Sequence, residues 1–342
     1  MSETDTDQSD DAMHVVEAYF DTGKYEHARE SLRRLLSQNP NDPALLTQYS
    51  RAEYLLDNHL SAAHSAYAAL SAAPQDEFAM RMYTLSLEGL GRDWDALCMA
   101  WRTVLAHPNE AVVHRLYARL LRKAQQLPNA LYAADQALRL APANVESLIL
   151  RGAILHDLRR LAESEAMYRE ALLRDPDNAT AINNLAVNRL HRWRLIPALR
   201  GFFAAAGIDP AMGAGARRNI GAVLEKVFQY VTVVAAVIGV FSAVVVNIYN
   251  DGKPTGLLRV LIAVLVAVLI AAFVWMFRVV PRRVLPSVLR YRVLVALRMV
   301  HALLAMALGI WVAIFAWPAR LGAAGIALLL SGLFLVWVGL SS

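Results

Sequence analysis

Prolines recur at a fixed interval of 34 residues in the amino-terminal part of this chain. They are Pro40, Pro74, Pro108, Pro142, Pro176 and Pro210. A period of this length is typical of short helical hairpins that stack, because a single hairpin cannot bury its apolar face alone. Proline ends one helix and is tolerated at the start of the next, so the spacing predicts a turn at each of these points. Residues 9–212 then divide into six units of 34 residues without an insertion.

A second column of the repeat holds small side chains. If the prolines are placed at position 32 of the unit, position 20 reads Ala28, Ala62, Ala96, Ala130, Ser164 and Ala198. Six small residues in six places indicate the point where the two helices of a hairpin pack most closely. Gly23 and Gly91 fall between the predicted helices, where a turn is needed.

Together these columns resemble the tetratricopeptide repeat family over roughly residues 9–212. The resemblance implies an all-α solenoid of six helix-turn-helix repeats. It also implies a concave face, lined by the first helix of each repeat, that holds peptides or partner helices, and it implies no catalysis. The fourth unit departs from the family pattern, because Gln125-Gln126-Leu127-Pro128 stands where a Gly-x-Tyr turn is usual.

Two segments border the predicted array. Residues 1–8 are acidic and are predicted to form a disordered tail. Residues 213–228 carry Ile220, Val223, Leu224, Val227 and Phe228 at helical spacing, which predicts a helix that caps the last apolar face of the array. This helix either continues directly into the following segment or hinges at Gly213 and Gly215.

Four stretches without formal charge follow the capping segment. They are residues 230–249, 260–277, 299–318 and 321–340. Each is long enough to cross a hydrocarbon core of about 30 Å as a helix. Buried helices of a soluble domain are the alternative, but these stretches leave little polar surface for one. The pattern therefore predicts a four-helix transmembrane domain over 229–342.

The charges of the two parts differ in sign. Residues 1–212 contain 22 basic and 27 acidic residues, whereas the remainder contains 12 basic and 2 acidic residues. The positive excess flanks the predicted spans, which argues for cytoplasmic loops rather than for nucleic-acid binding. Contact with the inner leaflet is predicted for Arg278, Arg282, Arg283, Arg290 and Arg292.

This orientation places both termini and the repeats in the cytoplasm. The acidic amino terminus lacks the apolar core of a signal peptide, in agreement with that orientation. Abundant arginine and alanine suggest a bacterial source with a GC-rich genome, and hence the cytoplasmic (inner) membrane; the membrane of a eukaryotic organelle is the alternative. The segment from Pro281 to Leu297 alternates basic and apolar residues, so it is either an interfacial helix or an ordinary loop.

The predicted spans contain few ionisable residues. His301 lies within the third span, where we expect its side chain to reach the interface, and Arg298 falls in the preceding loop. Small residues at a spacing of four, such as Ala235, Gly239 and Ala243, predict close helix packing. The resulting bundle either closes on itself or pairs with another chain in a homo- or hetero-oligomer.

The family's concave-face positions hold a basic stripe in units two to four. Its arginines are Arg51, Arg81, Arg115, Arg119 and Arg122. Such a stripe would bind an acidic peptide, because guanidinium groups bind carboxylates through paired hydrogen bonds. The alternative is a solvated surface whose arginines pair with acidic residues such as Glu53 and Glu88. In unit six, Asn183 and Asn184 stand at the family's concave-face positions and are predicted to contact the partner. Asn184 resembles the residue whose amide holds peptide backbones in members of the family.

Sequence motifs for catalysis, phosphate binding, cofactors or metals are not found. Cys98, Trp94, Trp101 and Trp193 are predicted to pack inside the repeats. The sequence therefore predicts a membrane-anchored, non-enzymatic scaffold that binds a protein or peptide. The alternative is a non-catalytic subunit of a transport or secretion complex whose activity resides in the transmembrane bundle. An enzyme that uses His301 or an arginine cluster on a lipid is a third, weaker reading.

Overall fold

The computed structural model describes residues 3–280, 292–315 and 320–341, together with positions 286, 289 and 290. All regular elements in these ranges are helices. The chain divides into two compact units, Met1–Pro176 and Asp177–Ser342.

The first unit consists of five helical hairpins. Their helices are α1 (Glu3–Asp21), α2 (Tyr25–Gln38), α3 (Pro43–Leu55), α4 (His59–Ala72), α5 (Glu77–Gly89), α6 (Asp93–Ala106), α7 (Ala111–Lys123), α8 (Leu127–Leu140), α9 (Val145–Asp157) and α10 (Leu161–Arg174). From α3 onward, helices of 13 and 14 residues alternate, and from α4 onward each begins 34 residues after its counterpart in the preceding hairpin. The predicted array of helical hairpins is confirmed.

The small-residue column lies at the closest contact of each hairpin. All six residues at position 20, from Ala28 to Ala198, have no exposed surface. Ser164, which replaces alanine in the fifth hairpin, donates a hydrogen bond from its hydroxyl to the carbonyl oxygen of Gly152 at 2.6 Å. This bond satisfies the buried polar group, so serine is accommodated where alanine is usual.

Most first helices begin at a capping side chain. Asp42, Asp76, Asn144 and Asn178 stand at the same position of successive units and accept hydrogen bonds from backbone N–H groups of the first turn. These bonds satisfy donors that the helix leaves unpaired. Glu110 occupies this position before α7 and makes no such bond.

The predicted disordered tail over residues 1–8 was wrong for residues 3–8, because α1 begins at Glu3. The sequence of this first turn is acidic, with Glu3, Asp5 and Asp7. Negative charge at a helix amino terminus interacts favourably with the helix dipole. The same composition that indicated a solvated tail is therefore compatible with a helix start.

The second unit holds the sixth hairpin and four longer helices. Its elements are α11 (Ala179–His191), α12 (Leu195–Ile208), α13 (Gly213–Asn250), α14 (Gly256–Val279), α15 (Val293–Phe315) and α16 (Arg320–Ser341). A short 3₁₀ turn, Pro210–Met212, separates α12 from α13.

Helix α13 joins the predicted capping segment to the first predicted span. It runs for 38 residues without interruption, and both Gly213 and Gly215 lie within it rather than at a hinge. Phe202 of the sixth hairpin shares one buried cluster with Ile220, Leu224 and Phe228 of α13. The boundary expected at residue 228 is therefore not a break in structure.

Within the described residues, three helices are long and apolar enough to cross a membrane. They are α13, α14 and α15. The fourth predicted span falls in α16, where the described apolar stretch, Ala323–Val338, is shorter than these three. Helix α15 begins at Val293, six residues before the predicted start of the third span at 299.

Small residues bring α13 and α16 into close contact, as their spacing predicted. A Cβ atom built on Gly239 would lie 2.7 Å from the carbonyl oxygen of Gly325, and one built on Gly325 would lie 2.5 Å from the carbonyl oxygen of Gly239. Ala235, one turn before Gly239, has no exposed surface. The backbones approach closely because neither glycine has a side chain.

The prediction of core packing was wrong for four residues. Trp94, Trp101 and Trp193 are 70%, 46% and 52% exposed, and Cys98 is also exposed. The hairpins are closed by alanine columns that leave no room for an indole ring. The aromatic rings pack on the outside instead, as Trp101 does against Tyr117 at 5.5 Å between ring centroids.

Candidate functional site

A cavity in the first unit collects three of the predicted site residues. It has a volume of about 340 Å³ and lies on α5, α7 and α9. Its lining residues are Arg81, Leu85, Val112, Arg115, Leu116, Arg119, Glu146 and Leu150. Arginine side chains and an apolar surface thus meet in one depression on the first helices of hairpins three to five, which we call the groove.

All three groove arginines are paired with carboxylates. Arg81 contacts Glu77 of its own helix at 2.5 Å between Nε and Oε1, and Arg119 contacts Glu88 at 2.6 Å. Arg115 contacts Glu146 at 2.8 Å. Glu88 is only 13% exposed, whereas Glu146 is 70% exposed, so the Arg115 pair is the more accessible to a ligand.

Arg51 and Arg122 lie outside the cavity lining and join neighbouring hairpins. Arg51 contacts Glu17 at 3.0 Å and lies 4.0 Å from the centroid of the Phe20 ring. Arg122 contacts Asp157 at 2.6 Å. Each pair links the first helices of consecutive hairpins, which is a structural role for two residues that the sequence assigned to binding.

Lys123 extends this network at the end of α7. Its ammonium group lies 2.6 Å from Asp93 and 3.5 Å from Glu88. The hydrogen bond to Asp93 raises the pKa of Lys123 above its usual value, and the two carboxylates add to the effect. The stabilisation is complete below the pKa of the unfolded lysine and is lost as the pH rises through the raised pKa.

The predicted basic stripe is therefore electrically balanced. Its five arginines and Lys123 are matched by Glu17, Glu77, Glu88, Asp93, Glu146 and Asp157. This is the pairing that the solvated-surface alternative anticipated, with Glu88 among the partners. Each guanidinium has five N–H donors, so a paired arginine keeps donors for a ligand carbonyl or carboxylate.

The sequence analysis overlooked the apolar surface of the groove. Leu85, Val112, Leu116 and Leu150 supply it. Leu85 occupies the position that arginine holds at Arg51 and Arg119, one unit before and one unit after, so the signal was present as a change of residue type in a repeating column. A groove of this composition can hold an apolar side chain beside a carbonyl or carboxylate group.

Asn183 and Asn184 lie in the second unit and are not part of the groove. The amide of Asn183 donates to Oδ1 of Asn184 at 3.4 Å, and Asn219 of α13 donates to Oδ1 of Asn183 at 3.3 Å. Asn183 thus holds the sixth hairpin against α13.

The predicted inner-leaflet arginines have different surroundings. Arg278 is exposed in the last turn of α14, and Arg290 is exposed as well. Arg292 contacts Glu225 of α13 at 2.5 Å. Arg282 and Arg283 lie outside the described residues.

Helix α15 carries two buried ionisable side chains, which corrects the prediction for this span. Arg298, expected in a loop, is 1% exposed within the helix and donates to the carbonyl oxygen of Leu335 at 3.2 Å. His301, expected to reach the interface, is 4% exposed, and its Nδ1 lies 3.1 Å from the hydroxyl of Ser331. Nε of Arg298 and Nε2 of His301 have no partner within the described ranges.

A metal centre has no support in the part of the chain that the structure describes. No group of three or more His, Cys, Asp or Glu side chains there could hold a metal ion.

Comparison with known proteins relates the hairpins to one repeat family. Family models for the tetratricopeptide repeat match residues 11–52 and 115–179. No curated protein sequence matches the chain.

Two of the similar solved structures share the fold at low identity. A chain of the APC/C hetero-tetramer Cut9–Hcn1 aligns with a TM-score of 0.57 and 13% identity over 62% of this chain and 42% of that one. PilF of Pseudomonas aeruginosa aligns with a TM-score of 0.50 and 14% identity over 59% of this chain and 91% of PilF. YrrB, a TPR protein with an unusual peptide-binding site, aligns with a TM-score of 0.41 and 18% identity over 53% of this chain and 94% of YrrB.

Proposed function

We propose that this chain, whose amino-terminal part is an array of tetratricopeptide repeats, is a membrane-anchored adaptor that holds a partner protein or peptide in its groove. Proteins built of these repeats are typically protein-interaction scaffolds. The adaptor acts by binding rather than by catalysis, and the array faces the cytoplasm.

The long apolar helices support membrane anchoring. Three helices have the length and composition of membrane spans, and α16 adds a further apolar stretch. Their outward side chains are large and apolar, as in Leu257 (85% exposed), Val260 (63%) and Leu304 (58%). Such surfaces are unfavourable in water and are favourable against lipid chains.

The groove is the observation that carries the proposal for partner binding. It combines an apolar surface with three arginines, of which Arg115 pairs with the exposed Glu146. A partner segment with an apolar side chain next to an acidic one would bury the former against Leu116 and Leu150. Its carboxylate would compete with Glu146 for Arg115.

The first experiment identifies the partner by crosslinking in native membranes. A photoreactive amino acid is placed at Leu85 or Leu150 in the full-length chain, and crosslinked proteins are identified by mass spectrometry. Tyr132, which is 67% exposed and does not line the groove, is the control position. We expect one partner to crosslink from both groove positions and not from Tyr132.

A second experiment tests the arginines with a matched control. The triple variant Arg81→Gln, Arg115→Gln, Arg119→Gln removes the groove cations without placing like charges beside Glu77, Glu88 or Glu146. The control variant Arg92→Gln, Arg160→Gln removes two arginines that pair with carboxylates outside the groove. Loss of the partner only in the triple variant, with unchanged helical content, supports the proposal. Retention of the partner in both variants would exclude this face.

A second candidate function places the activity in the transmembrane bundle, with the repeats as a docking arm. The buried Arg298 and His301 favour it, because ionisable groups inside a membrane are costly and are usually functional. The variants Arg298→Met and His301→Leu distinguish the two functions. If they abolish the cellular role of the protein while the partner still crosslinks at the groove, the bundle carries the activity.

A further inference from the structure

One backbone position is left-handed in all six hairpins. Position 15 of the unit has a φ between 58° and 73° at Gly23, Asp57, Gly91, Gln125, Arg159 and Trp193. Glycine adopts this conformation without strain, but a bulky aromatic residue rarely does. Residues in strained conformations are concentrated at functional sites. Trp193 is therefore a residue whose presence the turn itself does not explain.

The ring of Trp193 is held by two residues of α13. It meets the ring of Tyr230 edge-on, with 5.7 Å between the centroids. The ammonium group of Lys226 lies 4.5 Å from the centroid of the indole ring. A cation over an aromatic face is attractive, so the ring has a defined orientation although 52% of the residue is exposed.

Trp193 borders an open apolar cavity within the second unit. The cavity has a volume of about 460 Å³ and lies between the sixth hairpin, α13 and α14. Its lining includes Trp193, Ile196, Pro197, Val227, Ala272 and Trp275. Apart from the indole N–H groups, this lining consists of apolar side chains.

The cavity lies at the charged end of the apolar helices. Tyr230 is the first residue of the uncharged stretch 230–249, and Trp275 is near the end of the stretch 260–277. The start of the first stretch lies beside the end of the second, as the contact between Phe228 and Phe273 shows, with 5.5 Å between the ring centroids. Lys226 precedes the first stretch, and Arg278 follows Trp275 by one turn.

We propose that this cavity binds an anionic phospholipid of the leaflet on the side of the sixth hairpin. The upper part of an acyl chain fills the apolar cavity, and the phosphate meets Lys226 and Arg278. Tryptophan and tyrosine are enriched at the membrane–water interface because their rings are apolar and carry one polar group. A positive charge near that surface attracts anionic lipid. The inference rests on the proposed membrane insertion.

A phospholipid fits this cavity better than a protein segment does. The lining side chains include no carboxylate for a basic peptide to pair with, and the charged residues nearest to Val227 and Trp275 along α13 and α14, Lys226 and Arg278, are both positive. The apolar walls continue into the outward faces of α13 and α14, where Val233 and Val274 are 48% and 44% exposed. A lipid tail can therefore leave the cavity along these helices.

The test uses the full-length protein in lipid nanodiscs with photoactivatable lipids. One probe is phosphatidylglycerol and the other is phosphatidylcholine, each with a diazirine on the upper acyl chain. Labelled peptides are mapped by mass spectrometry. We expect phosphatidylglycerol to label the segments around residues 193–197, 227 and 272–275 about five-fold more than phosphatidylcholine does.

Single substitutions test the indole ring of Trp193 and the charge of Lys226 separately, and a control substitution tests the effect of the backbone change alone. Trp193→Gly removes the ring and relieves the strained turn, so labelling of the cavity should fall about five-fold without a loss of thermal stability. Gln125→Gly makes the same backbone change in the fourth hairpin and should leave the labelling unchanged. Lys226→Glu should remove the preference for phosphatidylglycerol.

The outcomes distinguish this inference from the proposed function. If sodium carbonate extracts the protein from membranes, membrane insertion itself fails. If the protein stays in the membrane and is labelled along α13 and α14 but not in the cavity, the lipid site alone is overturned. Equal labelling by both lipids, or a protein segment crosslinked to position 193, would also overturn it.

Discussion

Tyr168 and Gly152 show how closely the fifth hairpin is packed. A Cβ atom on Gly152 would lie 2.6 Å from the ring of Tyr168, which is 2% exposed. The ring has no free space to retreat into. Glycine is therefore required at this point by packing and not by backbone conformation.

Gly152→Ala should destabilise the fifth hairpin by about 1–3 kcal/mol, because the added methyl group overpacks a buried site. Hydrogen exchange of α9 and α10 in the full-length protein measures this loss. Gly207→Ala in α12 is the control, since beyond its chain neighbours and its own helix backbone nothing lies within 4 Å of the Cβ position. The control should gain up to about 1 kcal/mol from helix propensity. Equal stability of both variants would contradict the packing argument.

The caps at position 34 of the unit give a second prediction for single residues. Asp76 accepts a hydrogen bond from the N–H of Ala79 at 2.6 Å, so Asp76→Ala should cost the first turn of α5 about 1 kcal/mol. Glu110 has an extended backbone like the other caps but makes no capping bond. Glu110→Asp should therefore slow hydrogen exchange at the start of α7. An unchanged or faster exchange would count against this explanation.

Residue-level prediction from sequence succeeded where a column repeats and failed where a side chain depends on its neighbours. The column of small residues was identified correctly, because every unit imposes the same close contact. Trp94 and Trp101 were misassigned, since hydrophobicity alone does not show that alanine columns already fill the hairpins. Sequence grouped the arginines and named Glu88 as a partner only in the alternative. Most of the paired carboxylates stand about one repeat away, as Glu88 does from Arg119, so a single unit does not reveal them.

Among the elements, α13 and α16 come into close contact because glycines face each other where the two helices meet. Gly239→Leu should separate the two backbones, because even a Cβ atom there would approach Gly325 to 2.7 Å. We expect a loss of about 1–3 kcal/mol, seen as a lower melting temperature in detergent. Gly215 lies in the same helix, and a Cβ atom built on it would meet nothing from another element within 4 Å. The Gly215→Ala variant should therefore melt at no lower temperature than the parent protein. If the melting temperature falls equally in both variants, the cause is a disturbance of helix α13 and not the loss of its contact with α16.

The ends of α15 explain why its boundaries were hard to predict. A search for uncharged stretches begins after Arg298, but the structure begins the helix at Val293 and buries that arginine. At the other end, Arg259 of α14 donates to the carbonyl oxygen of Ala313 at 2.7 Å. Arginines that bond to carbonyl groups of neighbouring helices are compatible with membrane helices, although a charge count excludes them.

For the whole molecule, the single cysteine gives a direct test of orientation. Cys98 is exposed in the first unit. If the array faces the cytoplasm, a membrane-impermeant maleimide should label Cys98 only after the cells are permeabilised. The variant Cys98→Ser, Lys253→Cys moves the thiol to the connection between α13 and α14, where Lys253 is exposed, and should be labelled in intact cells. The reverse pattern would invert the proposed topology.

The sequence predicted the architecture of the whole molecule better than its site. A 34-residue period and long uncharged stretches are properties of the chain itself, and both correspond to helices at the expected places. The binding properties of the groove depend on which arginines already pair with carboxylates. Identifying those pairs requires the distances between side chains of neighbouring hairpins, which a sequence does not give. The apolar part of the groove left one signal, the change to Leu85 in a repeating column. The cavity beside Trp193 depends on packing between elements, for which one sequence gave no direct signal.

The continuity of α13 imposes an order on biosynthesis. The apolar face of the sixth hairpin is closed by Ile220, Leu224 and Phe228, which belong to the same helix as the first long apolar stretch. While the ribosome has not yet released residue 228, Phe202 remains without its covering helix. The last hairpin thus cannot complete its apolar core until the amino-terminal part of α13 has left the ribosome, and the first long apolar stretch is then the next segment to emerge.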